Sequence, residues 1–408
     1  MKKFPSTKTP CPEKRLLVCC ARTKLPVCVA NQIREITASP LDWDFLLASA
    51  AENSMTPVLA GHLLECAKDN IGAREAKQLR ESVRASAIRS LALAQQLIRL
   101  IEALRGQGIL AVPYKGPVLA SQAYGDIAMR EFGDLDVVLC HRDIAKANEV
   151  MLELGYRPRF PSGLLPHENS SVVPGEYNYQ DESGCVVVDL HTERTLRHFP
   201  KGPNLEEFAS RLVPVEVVGH SVLTFALEDQ FPVLCIHGAK DFWQRIIWVA
   251  DIAELIRSHS EVDWDLTVRR AESMCAGRML RLGLALSQKL LDAVLPGEIA
   301  VWVTQDPVAN STACKITQGH LSHEGARLGA AERFEFRRRM LSGTFDGLRY
   351  SIRLAAAPAE EDWSMMRLPK SLSPFYFALR PLRLLQKYGW SAPALPGSGK
   401  YSDSSAEN

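Results

Sequence analysis

The sequence predicts an α+β protein in which a small mixed β-sheet with its helices sits between two helical regions. Three observations predict it. Residues 36–107 repeat apolar side chains every three or four positions, the spacing of a buried helical stripe. Between 108 and 215 the texture turns to short apolar runs separated by Gly, Pro and Ser, the pattern of strands and turns. From 216 to 390 the helical spacing returns.

In chain order, residues 1–35 carry four of the ten cysteines and several prolines, and read as a flexible leader. In "SPLDWDFLLASAAENSMTPVLAGHLLECA", Trp43, Leu46, Leu47 and Ala50 fall at helical steps. A longer helix crosses "EAKQLRESVRASAIRSLALAQQLIRLIEALRGQG", with Leu91, Leu93, Leu97, Leu100, Ile101 and Leu104 as its stripe. Gly106 and Gly108 should stop it, because glycine takes the left-handed backbone that ends helices. Then come a strand, "ILAVPYKG", a short helical piece, "PVLASQAYG", and a second strand, "LDVVLC". A helix is expected from Asp143, a residue suited to an N-cap, to Leu154, closed by Gly155. "EYNYQDESGCVVVDLHTE" reads as a hairpin turning at Ser183-Gly184, and "VPVEVVGHSVLTF" as one more strand pair. "DQFPVLCIHGAKDFWQRIIWVADIAELIRS" is the most strongly patterned later helix. "SPFYFALRPLRLLQKYG" is a last basic helix, before a disordered Gly/Pro/Ser-rich tail at 391–408. No internal repeat is present.

Composition narrows the partners. With 46% hydrophobic residues the chain can bury a large core. Its 48 basic and 47 acidic residues leave a net charge of +1, no global footprint for nucleic acid. The ten cysteines contain no C-x-x-C pair and suit free thiols in a reducing cytosol. The basic start lacks the apolar core of a signal peptide, and no apolar run is long enough to span a membrane. A cytoplasmic location is expected.

The chemistry concentrates in "REFGDLDVVLC". Side chains alternate along a strand, so Asp134 and Asp136 share a face. In "CVVVDLHTE" the same rule puts Val187, Asp189 and His191 on one face. Carboxylates about 3 Å apart do not all ionise without a cation among them. Either a metal ion or an arginine would serve, and an all-oxygen set suits Mg²⁺. Two such ions stabilise both the attacking and the leaving oxygen of a phosphoryl or nucleotidyl transfer. Lys115 follows a strand and precedes a helix start, a place that favours phosphate. Arg130 would either neutralise the acids or hold phosphate.

Farther on, His237, Asp241, Gln244, Trp248 and Asp251 fall at steps of four, three, four and three on one helix at 231–256. That face either lines a cleft or forms a buried network. Lys240 and Arg245 would serve substrate phosphate or reach solvent. His191 fits a partner of the acids better than a ligand, since Mg²⁺ rarely takes imidazole. The basic runs "ERFEFRRRM" and "ALRPLRLLQKYG" read as solvated faces before nucleic-acid sites.

These residues carry a resemblance. "VPYKGPVLASQAYGDIAMREFGDLDVVL" resembles the signature of the DNA polymerase beta-type nucleotidyltransferase superfamily. More narrowly, the chain resembles its branch of uncharacterised nucleotidyltransferases, some of them encoded beside lasso-peptide biosynthesis genes. The matching positions are Lys115, Gly116, Tyr124, Arg130, Asp134, Asp136, Asp189, Leu190, His191, His237, Gly238, Lys240, Trp243, Arg245, Trp248 and Asp251. The resemblance covers roughly residues 40–260 and implies a minimal polymerase-beta-type core. It also implies two Mg²⁺ ions held by Asp134, Asp136 and Asp189, with Lys115, Gly116 and Arg130 toward the nucleotide. His191, His237, Lys240, Trp243, Arg245, Trp248 and Asp251 would line the substrate pocket. The expected reaction moves NMP from an NTP, ATP being the first choice, to a hydroxyl or phosphate of a small-molecule or peptide acceptor. The alternatives are a non-catalytic nucleotide-binding scaffold and a tRNA-modifying enzyme. Two positions depart from the pattern: Gly116-Pro117 replaces Gly-[Gly/Ser], and Asp241 stands where many relatives carry a second histidine.

Overall fold

The computed structural model describes residues 11–159, 176–192, 205–323, 328–341 and Phe375. The chain divides into two compact units, Met1–Tyr350 and Ser351–Asn408. The regions expected at 36–107 and 108–215 and most of the one at 216–390 belong to the first. The expected basic helix at 373–389, apart from Phe375, and the tail at 391–408 lie outside the described residues.

The flexible leader is a correction: residues 11–37 are largely helical. Helix α1 (Pro12–Cys20) has Pro12 at its start, and α2 (Val27–Thr37) has Pro26 as its N-cap. Proline's fixed φ suits a first helical turn, so residues read as breakers act as starters. Leu16, Leu17, Cys20, Val29 and Ile33 are buried, and a buried thiol packs as a small apolar group. No disulfide joins any two cysteines among the described residues.

Helices α3 (Trp43–Glu52) and α4 (Thr56–Cys66) lead to the 34-residue α5 (Ala73–Gly106). The α5 stripe is Leu93, Leu97, Leu100, Ile101 and Leu104. Leu91 lies off that line and is exposed, because positions two apart do not share a helix face. Then follow β1 (Ala111–Pro113), a short α6 (Gly116–Leu119), β2 (Asp134–Leu139), α7 (Ile144–Glu153) and β3 (Arg157–Pro158). The hairpin β4 (Glu176–Gln180) and β5 (Val187–His191) turns where expected, with Gly184 at φ 73°.

These strands form one mixed sheet in the order β1-β2-β5-β4-β3. Strand β2 runs parallel to β5, and the other neighbours are antiparallel. Alternation splits the sheet cleanly. Leu135, Val137, Leu139, Val188 and Leu190 enter the core with α5 and α7, leaving Asp134, Asp136, Asp189 and His191 on the other face.

A turn of helix, α8 (Leu205–Phe208), precedes the hairpin β6 (Val213–Val217) and β7 (His220–Thr224). The single helix expected over 231–256 is two, α9 (Leu227–Lys240) and α10 (Ile246–Ser258). Phe242 and Trp243 break it with left-handed backbone, φ 61° and 53°. Such conformations cost roughly 1–2 kcal/mol each. Burial offsets this: Trp243 is fully buried, its ring against Gly238 and Gly283, where an added Cβ would lie 2.7 and 3.0 Å away. Helices α11 (Trp264–Ser273), α12 (Gly277–Leu291), α13 (Gly297–Thr304), α14 (Pro307–Leu321) and α15 (Ala330–Met340) complete the described part. Among the described residues no helix is long and apolar enough to cross a membrane.

Candidate active site

The β2–β5 register places Asp136 opposite Asp189 and Val138 opposite His191. One donor atom from each of Asp136, Asp189 and His191 lies within 4.8 Å of the others. Asp134 begins β2 opposite Val187 and is open to the cleft.

Asp136, 5% exposed, accepts two hydrogen bonds on Oδ1, from Lys115 Nζ at 2.9 Å and His191 Nε2 at 2.8 Å. The cation among the acids is therefore a lysine in this structure. Burial alone would push the Asp136 carboxyl up, but the Lys115 ammonium and the His191 bond carry it well below the usual range. Asp134 goes the other way, to about 6, chiefly because the Asp136 charge is so near, with burial adding to it. Burial disfavours the Lys115 charge, yet Asp136 holds its pKa above the usual value. Gly116, next along, has φ 54°, and a Cβ there would meet the Asp134 carbonyl oxygen at 3.4 Å.

Strand β4 supports the acids from the side. Asn178, in register with Asp189, donates from Nδ2 to Asp189 Oδ1 at 2.6 Å. Glu176, in register with His191, accepts from Lys240 Nζ at 3.1 Å and lies 4.0 Å from His191 Nδ1.

The opposite wall comes from the end of α9 and the start of α10, enclosing a cleft of about 470 Å³. His237, Lys240, Asp241, Gln244, Arg245 and Trp248 line it. His237 meets Trp248 edge-on at 5.2 Å between centroids, with Nδ1 3.5 Å from Asp241 Oδ2. Burial, helped by the Lys115 charge, drives the His237 pKa well below its usual value, so the ring is neutral. The Arg245 guanidinium lies 5.8 Å from the Trp248 ring centre.

Two expected pocket residues are elsewhere. Trp243 is enclosed by the α9 and α12 glycines, and Asp251, 2% exposed, lies behind the cleft wall. Neither lines the cleft. Arg130 reaches its edge, but its Nε and Nη2 donate to Asp251 Oδ1 and Oδ2 at 2.7 and 2.8 Å. Tyr124 Oη donates to the same carboxylate at 3.0 Å. The arginine expected at the nucleotide is thus committed to an internal ion pair. The basic run of α15 is also engaged: Arg338 and Arg339 pair with Glu335, and Arg337 packs over Phe242.

Glu176 and Asn178 are site residues the sequence reading missed. The alternation that paired Asp189 with His191 places these two on the same sheet face, once the hairpin register is known. Ser54 and Glu131 also line the cleft, and no local pattern marks Ser54. A buried carboxylate, a half-buried one and an imidazole with converging donor atoms are a chemically suitable set for a divalent cation.

No curated protein matches the chain. A family model described as uncharacterised nucleotidyltransferase matches residues 39–292, well over half the chain, from just before α3 to just past α12. The matched segment contains the whole acidic sheet face and both walls of the cleft, and the protein belongs to this uncharacterised nucleotidyltransferase family.

Proposed function

We propose that the protein moves a nucleoside monophosphate from an NTP, ATP being the expected donor, onto a small-molecule or peptide acceptor. The acceptor oxygen, from a hydroxyl or phosphate, forms a bond to the α-phosphorus. The bond from that phosphorus to the bridging oxygen breaks, and pyrophosphate leaves. The observation that carries this reading is the pairing of Asp136 with Asp189 across parallel strands at the floor of a cleft.

Asp136 and Asp189, with Asp134 at the mouth, would hold Mg²⁺. A divalent cation there supplies positive charge to the reacting phosphate oxygens. Asp189, fixed on one oxygen by Asn178, has its other oxygen for the proton of an acceptor hydroxyl. Among the cations lining the cleft, Lys115, Arg130 and Lys240 already face carboxylates. Arg245 has no such ion pair among the described residues and is the side chain assigned to the triphosphate. A cleft of about 470 Å³ falls in the size range of small-molecule sites. The near-neutral chain and the internal pairing of the α15 arginines also favour such an acceptor over RNA.

The test is incubation with each α-³²P-labelled NTP, Mg²⁺ and fractionated cell extract. Label should enter a small molecule or peptide, and Asp136→Asn should abolish it. Raising salt from 50 to 200 mM should change acceptor KM by less than about tenfold, against roughly 10³ for a nucleic acid gripped at six or more phosphates. NTP binding without turnover under every condition would replace this reading with that of a nucleotide-binding scaffold.

A further inference from the structure

We propose that His191 is itself a metal ligand. The centre is then a mixed oxygen–nitrogen site of Asp136, Asp189 and His191, oriented through Glu176, that prefers a first-row transition cation over Mg²⁺. This rests on the nucleotidyl-transfer reading for its use but not for its existence.

Position comes first. His191 ends β5 on the acidic face and lines the cleft, and its donor atom falls within 4.8 Å of those of Asp136 and Asp189. Asp134, the other member of the D-x-D pair, is not in that group. The imidazole is 6% exposed and is met edge-on by Tyr114 at 5.8 Å between centroids. A ring so confined keeps its orientation and loses little freedom on gaining a ligand.

The second argument is the far side of the ring. Nε2–H now donates to Asp136, while Nδ1 is buried and has no hydrogen-bond partner among the described residues. Glu176 Oε2 waits 4.0 Å from that nitrogen, held by Lys240. For Nε2 to offer its lone pair to a cation, the ring proton must move to Nδ1. There Glu176 accepts it after closing by about 1 Å to hydrogen-bond distance. The ring changes tautomer with no net gain or loss of a proton. A carboxylate behind a histidine is the usual arrangement that orients an imidazole on a metal. The antiparallel register puts Glu176 opposite His191, so the backbone itself supplies it.

The third argument is selectivity. Mg²⁺ takes oxygen donors almost exclusively, whereas imidazole suits transition ions. Mn²⁺ accepts both carboxylate and imidazole and is the probe chosen.

The experiment is titration of nucleotide-free protein with Mn²⁺ and with Mg²⁺ by calorimetry, with pulsed EPR of the bound Mn²⁺. Expected are tighter binding of Mn²⁺ by about tenfold or more, and a ¹⁴N coupling in the EPR signal. His191→Gln should remove the coupling and weaken Mn²⁺ by about 10- to 100-fold while changing Mg²⁺ little, and Glu176→Gln should weaken Mn²⁺ by about tenfold. The wild-type ¹⁴N signal decides the matter even if a variant fails to fold. Folded wild type that binds no Mn²⁺, or binds it without ¹⁴N coupling, overturns the proposal. Unaltered coupling in a folded His191→Gln variant does so too. Label transfer from NTP that persists beside any of these results leaves the nucleotidyltransferase reading standing. Coupling without transfer under any cation would sink that reading and leave the metal centre.

Discussion

Lys115 Nζ and Asp136 Oδ1 lie 2.9 Å apart with both residues less than a tenth exposed. The lysine holds the oxygen that a divalent cation would need, so the two compete. Removing one partner of a buried pair costs about 3–5 kcal/mol. Lys115→Met should therefore destabilise the metal-free protein by about that much. A divalent cation should restore more stability to the variant than it adds to the wild type, since only native-state binding stabilises. Denaturant midpoints with and without Mn²⁺ measure this; equal shifts in both proteins would rule out the competition.

Arg130 and Asp251 meet through two parallel hydrogen bonds, joined by Tyr124, and all three side chains are buried. Asp251→Ala strands the guanidinium and should cost about 3–5 kcal/mol. The double change Arg130→Met with Asp251→Leu should recover most of that, because two apolar groups leave no charge to strand. Urea unfolding of the three proteins is the measurement, and a double variant weaker than Asp251→Ala would contradict the account.

Gly238 is fixed by the ring it touches. Gly238→Ala puts a methyl 2.7 Å from Trp243 and should cost about 1–3 kcal/mol, and Trp243→Ala alone should cost about 3–5. Together they should cost less than the sum, since the added methyl occupies space the ring has vacated. The NTP KM of Trp243→Ala should match the wild type at a temperature where both are folded. A KM raised tenfold would return this side chain to the substrate cleft.

Burial brings the His320 pKa down to about 4, although its Nε2–H donates to the Trp243 carbonyl at 2.8 Å. In the unfolded chain the same imidazole titrates near 6.5. Between those values the unfolded state binds a proton that the native state refuses, so stability falls as pH falls. The loss begins near 6.5, is complete below about 4, and amounts to at most about 3 kcal/mol. His320→Gln keeps a donor for the carbonyl but cannot titrate, and its stability should decline less over that window. Parallel stability–pH curves for the two proteins would remove His320 as the cause.

Strand alternation made the acidic face legible, because Asp134 and Asp136, like Asp189 and His191, are two residues apart. Which pair converges depends on a β2–β5 register that no local pattern encodes, and it selects Asp136, Asp189 and His191 over Asp134. The hairpins and the long helix α5 were readable from turn residues and periodicity. The break between α9 and α10 was not, since Phe242 and Trp243 are ordinary helix-compatible residues whose left-handed backbone goes with tertiary packing, Trp243 against Gly283 of α12 and Phe242 against Phe336 of α15. Prolines misled at α1 and α2 because their effect depends on which side of a helix start they occupy.

The carbonyls at the end of β1 are capped from far along the chain, Pro113 by the Thr224 hydroxyl at 2.8 Å and Tyr114 by the Gln230 amide at 2.6 Å. With Asp251 holding Arg130, the segments at Pro113-Tyr114 and Arg130, which border the cleft, borrow polar partners from residues 224–251. A boundary drawn at 215 thus cuts through one cooperative unit. The sheet is no transplantable cassette: a fragment that stops at 215 would leave an orphaned guanidinium and two uncapped carbonyls. Swapping acceptor preference between relatives would then mean exchanging surface side chains on a retained α9–α10 frame, with whole-lobe grafting closed off by the chain's own wiring.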